Sequence, residues 1–374
     1  MQTDLSSIIC VVDMNITGAM DKCLEDLAMP EVFIQHAKQM SLVDHQGFLG
    51  LRPGTRLEER RAEIYRFYVP SVYEEGVMRR IAEATDLTMG GRGCIMAQHI
   101  DIRRGTPLSF DTEKLDMICG RKGKSSHEEH VLLSCIVSRG SADNLARAML
   151  ELGVCVPIVF FGTGMGIRDK LGLLRITIPV EKEILWLIVP RSDVELVEKT
   201  LIPRARLDVP GQGFLYRLFV HAPVVNLQIR QGKRTHAATM EQVIAALDEV
   251  HGSSDWRRLG SHRYRTAHEN RAASTYGLFF IGEEEDVEIF RKTAMECGAR
   301  GATHNHLEMH CYSNISREQA MVSHSRELCD IIVSREVEEK IRNALMQIGF
   351  FDGSRSCVLK TFNVEMPSGI SHNT

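Results

Sequence analysis

The sequence is poor in the features that would place it quickly. Its 374 residues include ten cysteines but no CxxC pair. Most of the cysteines sit inside apolar runs such as Ser6 to Val12 and Val131 to Val137, so they read as buried thiols of a reducing compartment rather than a disulfide frame or zinc site. No apolar run approaches the ~20 residues that span a bilayer, which excludes a membrane-spanning helix. The amino-terminal region carries Asp4 and Asp13 and has neither a basic segment nor a long apolar core, so no secretory signal is expected and the location expected is cytoplasmic. Charge of one sign is also missing. With 45 basic against 49 acidic residues and a net charge of −4, general polyanion binding is excluded and no nucleic-acid partner is expected. Proline and glycine are not enriched, and 44% hydrophobic with 25% charged residues excludes disorder and fibrous repeats. No G-x-S-x-G occurs and no cysteine has a convincing local histidine partner, so nothing demands catalysis and a non-enzyme is expected.

What is present is repetition. The length allows two or three domains. Three segments each carry a short β-rich run, a helical pattern and a second β-rich run: Ile64 to Ile102, Ile184 to Val220 and Leu328 to Val364. Val69, Val189 and Val333 close the leading strands, while Gly93, Gly213 and Ser356 begin the trailing ones. Glu74, Glu195 and Glu336 stand in the first helical turn, where a carboxylate is favoured by the helix amino end. Before each segment lies an apolar strand (from Ile8, Leu132 and Gly277), an amphipathic helix (Thr17 to Leu27, Ser141 to Leu152, Glu284 to Cys297) and another strand (Val32 to Met40, Val156 to Gly162, Ala302 to Cys311). The unit is β-α-β-β-α-β, so the fold class expected is α+β with three tandem ferredoxin-like repeats. Two helices cover one sheet face only, and three copies with sheet faces inward would cover the other as a pseudo-trimer. The expected boundaries are residues 1–108 for repeat one, 109–129 for a polar linker, 130–230 for repeat two, 231–274 for a helical insert and 275–374 for repeat three.

Repeat two holds the densest glycine signal. Its second strand runs into Gly162, Gly164 and Gly166, followed by Arg168 and Lys170; glycines at a strand end let backbone N–H groups approach an anion, and the cations add charge. Pro210-Gly211-Gln212-Gly213 forms a second glycine turn before the last strand, and Arg230 and Lys233 follow that strand. A glycine loop after strand two, a glycine turn before strand four and an Arg-rich tail together resemble the PII nitrogen-regulatory signal proteins. The resemblance is clearest over residues 130–234. It implies that Gly162, Gly164 and Gly166 shape a T-loop base, that Gly211 and Gly213 cup phosphates with Gln212 between them, and that Arg230 and Lys233 pair with those phosphates. Repeat one offers Gly91, Arg92 and Gly93 as a matching turn and Arg103 as its tail, whereas repeat three keeps only Gly353-Ser354-Arg355-Ser356. Gln212 and Phe214 stand where the family carries an acidic residue and a lysine. The stretch from Gly166 to Trp186 is short for a full T-loop and lacks the modified tyrosine, so uridylylation-type control is not expected.

Alternation along the third repeat puts His304, His306, Glu308 and His310 on one strand face. This is either a transition-metal site formed by His304, His306 and His310 or the polar face of a half-exposed strand. Trp256, Arg257, Arg258, Arg263 and Arg265 make a basic loop with aromatics, and Glu58-Glu59 and Glu283-Glu284-Glu285 read as solvated carboxylates. The function that the resemblance implies is a PII-like regulatory protein. It would bind an adenine nucleotide (ATP, ADP or AMP) or a similar small anion between repeats and relay this to a protein target in nitrogen or carbon metabolism. The alternative is a metal-dependent or other small-molecule enzyme with its site between repeats. A monomer is expected, with dimers through exposed loops left open.

Overall fold

The computed structural model describes residues 4–45, 54–121, 130–166, 180–209, 211–225, 275–313 and 324–367. The first run of elements is β1 (Leu5–Asp13), α1 (Thr17–Asp26), β2 (Val32–His45), β3 (Gly54–Pro70), α2 (Glu74–Thr85) and β4 (Gly93–His99), followed by β5 (Asp101–Arg104) and α3 (Thr112–Cys119). The second is β6 (His130–Ser138), α4 (Ala142–Leu152), β7 (Ile158–Gly166), β8 (Val180–Pro190), α5 (Val194–Ala205) and β9 (Gly213–Val224). The third is β10 (Thr275–Gly282), α6 (Glu284–Glu296), β11 (Gly301–His310), β12 (His324–Ser334), α7 (Arg335–Gln347) and β13 (Val358–Asn363). Local chemistry accounts for the helix starts. Glu74 and Glu75, Glu195, and Glu336 and Glu338 occupy first turns, and the Ser334 hydroxyl accepts a hydrogen bond from the Val337 N–H at 3.5 Å, a standard amino-terminal cap.

The strands do not divide into three sheets. They form one 13-stranded sheet in the order β2-β3-β1-β4-β9-β6-β8-β7-β11-β12-β10-β13-β5, and β2 also pairs with β7 and β11. The β2–β11 pairing, Val32 to His310 through Ile34 to Glu308, closes the nine strands from β2 to β11 into an antiparallel barrel, and β12, β10, β13 and β5 continue the sheet from β11 and add residues to the same inner core. The expectation of three tandem ferredoxin-like repeats assembled as a PII-like pseudo-trimer is therefore corrected to a closed barrel. The physical reason lies at the strand edges. A free edge presents unpaired N–H and C=O groups, and pairing it with the next run removes that cost: Ile95 and Ala97 of β4 meet Val224 and His221 of β9, and Gly164 of β7 meets Thr303 of β11. Strand-helix periodicity shows where elements lie but not which edges join.

Two further differences are local. β2 and β3 form a hairpin paired from Val32–Phe67 to His45–Gly54, longer than the strand expected to end at Met40. Met40, Leu42 and Leu57 pack beneath α4 of the second run. The stretch expected as a polar linker carries α3, whose amino end is capped by the Asp111 carboxylate accepting from the Lys114 N–H at 3.0 Å, and Leu115 and Cys119 are buried. The insert 231–274, with its basic loop at Trp256, Arg257, Arg258, Arg263 and Arg265, lies outside the described residues.

Among the described residues four hydrophobic clusters hold the fold. One lies inside the barrel and draws on all three runs, with Ile9, Ile64, Tyr68, Trp186, Leu218, Phe279 and Phe362 among its members. The other three lie between the outer sheet face and the helices: α1 to α3, α4 and α5, and α6 and α7. Burial of each aliphatic or aromatic side chain contributes about 1.5–3 kcal/mol. Eight of the ten cysteines are buried, and Cys297 and Cys311 are half-buried. Among the described residues no helix is long and apolar enough to cross a membrane.

Candidate functional site in the barrel interior

Successive residues of a strand face opposite sides of its sheet. In β3, Tyr65 and Phe67 join the helix-side cluster while Ile64 and Tyr68 join the interior, so Arg66, between them, faces inward. The same alternation turns Tyr216 inward beside Leu218, Asp330 beside Leu328 and Lys360 between Val358 and Phe362. All three charged groups are buried, with Arg66 3%, Lys360 4% and Asp330 8% exposed. Each sits in an otherwise apolar lining, where an ion is tolerated only with compensation.

The polar groups form a circuit around the interior. The Arg66 guanidinium lies 5.2 Å from the Trp186 ring and 6.0 Å from the Phe160 ring. Trp186 Nε1 donates to Ser134 Oγ at 3.2 Å, and Ser134 stands opposite both Trp186 and Tyr216 in the sheet. Tyr216 donates its hydroxyl to Asp330 Oδ2 at 3.0 Å. Asp330 and Lys360 flank Phe279, which is paired with both. Lys360 Nζ donates to Ser7 Oγ at 2.9 Å and Gln98 Oε1 at 3.3 Å. Ser7 in turn stands opposite Tyr68, two residues from Arg66.

The circuit is incomplete in two kinds of group. Arg66 Nε, Nη1 and Nη2 are all buried without a hydrogen-bond partner among the described residues, and so are Asp330 Oδ1 and Gln35 Oε1. A buried donor left unmade costs about 1–3 kcal/mol and a charged one more. Titration follows the same physics. Burial lowers the Arg66 guanidinium from 12.5 to about 10, against the opposing fields of Tyr68, Tyr216 and Asp330. Burial, assisted by Arg66, lowers Lys360 from 10.5 to about 7. Burial raises Asp330 from 3.8 to about 7, partly offset by the Tyr216 hydrogen bond and by Lys360 and Arg66. Arg66 thus stays charged at neutral pH while Asp330 and Lys360 titrate there.

The residues nominated from the sequence lie elsewhere. Gly162, Gly164 and Gly166 are in β7, with Gly162 opposite Lys182 and Gly164 opposite Val180 of β8, and with Gly164 and Gly166 opposite Thr303 and Gly301 of β11. A Cβ on Gly162 would stand 2.8 Å from Asn305 Oδ1 and 2.9 Å from the His304 carbonyl, so close strand approach accounts for that glycine. Gly211 (φ +85°) is a turn glycine with open space around it, and Gly213 lies against the Ile136 carbonyl; between them the Gln212 N–H donates to the Val209 carbonyl at 3.3 Å. Gly91 (φ +81°) and Gly93 (φ +142°) flank Arg92, whose guanidinium donates to Asp86 at 3.2 Å and to the Thr85 carbonyl at 3.3 Å. Arg103 stands beside Asp101 at 4.0 Å and Met346 at 3.6 Å. Arg168, Arg230 and Lys233 lie outside the described residues.

The histidine strand is set against the glycine strand, with His304 opposite Thr163. His304 Nδ1 and His306 Nδ1 lie 3.8 and 3.6 Å from Glu327, and His310 lies 3.5 Å from Glu308. Burial, with Arg291 adding to it, lowers His304 from 6.5 to about 4, so its imidazole is neutral. Among the described residues no group of three or more His, Cys, Asp or Glu is arranged to hold a metal ion.

Sequence reasoning missed Arg66, Asp330, Lys360 and Tyr216. Their signal was a single charge inside an apolar strand, as in IYRFYV, LCDIIV and VLKTFN. Fold and site together define an antiparallel barrel with a charged, incompletely paired interior. Comparison with family models finds no match to this chain, and comparison with curated proteins finds none either.

Proposed function

We propose that the chain is a binding protein for a small anion, held inside the barrel by the Arg66 guanidinium and sensed by a protein partner through the strand ends that join the runs. The observation supporting this is that the Arg66 guanidinium is buried while its three nitrogens lack partners among the described residues. An uncompensated buried charge costs about 3–5 kcal/mol, and an oxyanion bonded to the guanidinium fork removes that cost. Binding of this kind links occupancy to the stability of all three runs, since each contributes to the circuit. The test is thermal unfolding in acetate, phosphate and sulfate against chloride at equal ionic strength, on the parent protein and on Arg66→Met. An oxyanion-specific rise in Tm that Arg66→Met lacks is expected. Equal Tm in all salts, or a rise that persists in Arg66→Met, overturns the proposal.

A second reading places an adenine nucleotide where a glycine turn meets the tail of another run. It is favoured by one juxtaposition: the Gly105 N–H donates to the Cys357 carbonyl at 3.0 Å and Arg103 pairs with Leu359, which brings the first tail beside the turn at Gly353. Calorimetric titration with ATP, ADP and AMP separates the two, because nucleotide bound at the turns survives Arg66→Met.

A further inference from the structure

We infer that the anion taken by the interior is a small 2-hydroxy monocarboxylate, a carboxylate with a hydroxyl donor on the adjacent carbon; this rests on the anion-binding proposal above. Among the described residues the interior lacks partners of both polarities. Arg66 offers N–H donors with nothing to accept them, while Asp330 Oδ1 and Gln35 Oε1 are acceptors with no donor. A plain oxyanion satisfies the guanidinium but brings a second set of lone pairs towards Asp330. A ligand with a carboxylate at one end and a hydroxyl at the other satisfies both sides.

Position supports this. Gln35 is opposite Ile64, two residues from Arg66 along β3, and its Nε2 donates to Asn305 Oδ1 at 3.1 Å, so Oε1 is the buried atom without a partner among the described residues. Asp330 is anchored through Oδ2 by Tyr216, so Oδ1 is the oxygen left for a ligand. The two rings beside Arg66, Trp186 and Phe160, meet edge-on at 4.9 Å; they present an apolar wall to the carbon skeleton and favour a weakly hydrated monoanion over a strongly hydrated dianion.

Charge selects among donors. The charges of Arg66 and Lys360 both act on Asp330. Further cations on inward positions are matched locally, among them Arg60 by Asp13 at 3.0 Å, Arg104 by Glu31 at 2.8 Å and Arg326 by Glu283 at 3.5 Å. At neutral pH the half-titrated Asp330 and Lys360 offset one another, so the group carries the one positive charge of Arg66, which a hydroxy-acid monoanion cancels. A zwitterionic amino acid leaves the charge in place. A dicarboxylate reverses the sign.

The experiment is a calorimetric series on the parent protein at one ionic strength: acetate, propionate, glycolate, lactate, alanine, malate and inorganic phosphate. Glycolate and lactate are expected to bind about tenfold tighter than acetate and propionate, the gain of one hydrogen bond to a charged acceptor. That gain is expected to disappear in Asp330→Asn, which is nearly isosteric: within the variant, lactate and propionate are expected to bind alike, whatever the change in their common affinity. Equal affinity for lactate and propionate overturns the ligand class while leaving the anion proposal standing, as does tighter binding of alanine, malate or phosphate than of lactate. Absence of binding by every member overturns both. The series on the parent protein needs no variant to fold, and Gln35→Leu gives a second measurement, expected to weaken glycolate more than acetate.

Discussion

Tyr216 of β9 and Asp330 of β12 are joined by a 3.0 Å hydrogen bond inside the barrel, a contact between runs that are 114 residues apart in sequence. The hydroxyl is the donor, and it is the bond that holds the Asp330 carboxyl below the value burial alone would give. Tyr216→Phe deletes the donor and leaves Oδ2 as unpartnered as Oδ1. Destabilisation of about 1–3 kcal/mol is expected, with Asp330 titrating higher than about 7. Urea unfolding measures the first, and carboxyl-resolved NMR or infrared titration the second. A loss under half a kilocalorie would show that water replaces the hydroxyl.

The interior makes stability depend on pH in two opposed directions. Asp330 is raised from 3.8 to about 7, so the folded state holds its proton more tightly than the unfolded chain, and the stability this contributes is present below about 4 and lost as pH rises to about 7. Lys360 is lowered from 10.5 to about 7, so its contribution is present above about 10.5 and lost as pH falls to about 7. The pair therefore adds a trough near neutrality. Subtracting the urea-unfolding profile of Asp330→Asn from that of the parent should return the acid limb, and Lys360→Met the alkaline limb. Flat difference curves would mean that neither group is shifted.

Glu31 and Arg104 form a bidentate pair at 2.8 and 3.0 Å with both side chains about a tenth exposed. Removing one partner strands the other as a buried charge. Glu31→Ala is expected to cost about 3–5 kcal/mol, whereas the double change Glu31→Leu with Arg104→Met is expected to lie near the parent, because the desolvation penalty leaves with the pair. A double-mutant cycle by chemical denaturation reads the coupling directly. Additive effects of the two single changes would place the pair in solvent.

These groups show what was legible in the sequence. Alternation within IYRFYV carries, unused, the information that Arg66 shares a face with Ile64 and Tyr68, while the first-turn glutamates at Glu74, Glu195 and Glu336 did locate three helices. Which face turns inward is decided by edge pairing between runs, such as Ile34 with Glu308, and no local pattern encodes a partner some 270 residues away. The glycines drew attention for the opposite reason. Their spacing is visible in sequence, but a glycine required by a neighbouring strand, as at Gly162 against Asn305, looks the same there as one required by a ligand. The helix at Thr112–Cys119 was hidden because Asp111 and its short apolar face at Leu115 and Cys119 sit in a polar stretch.

Gly93 and Gly211 separate the structural from the ligand role of the glycine turns. Gly93 has φ +142° and a Cβ there would stand 1.8 Å from the Val11 carbonyl oxygen, in the backbone of the adjoining strand. Neither β1 nor β4 can shift without breaking the register of Val12 with Gly93 and Val11 with Cys94. Gly93→Ala is therefore expected to cost more than about 4 kcal/mol. Gly211 has φ +85° with nothing within 4 Å of where a methyl group would stand, so Gly211→Ala carries only the left-handed backbone cost of about 1–2 kcal/mol. Thermal and urea unfolding of the two variants tests the contrast. Gly353, at φ +99° with only the Gly105 carbonyl oxygen at 3.9 Å from where a methyl group would stand, tests the second functional reading: a Gly353→Ala variant that stays folded yet loses ATP, ADP or AMP binding in calorimetry would assign that turn to a ligand, and one that keeps whatever binding the parent has leaves the turn to chain reversal.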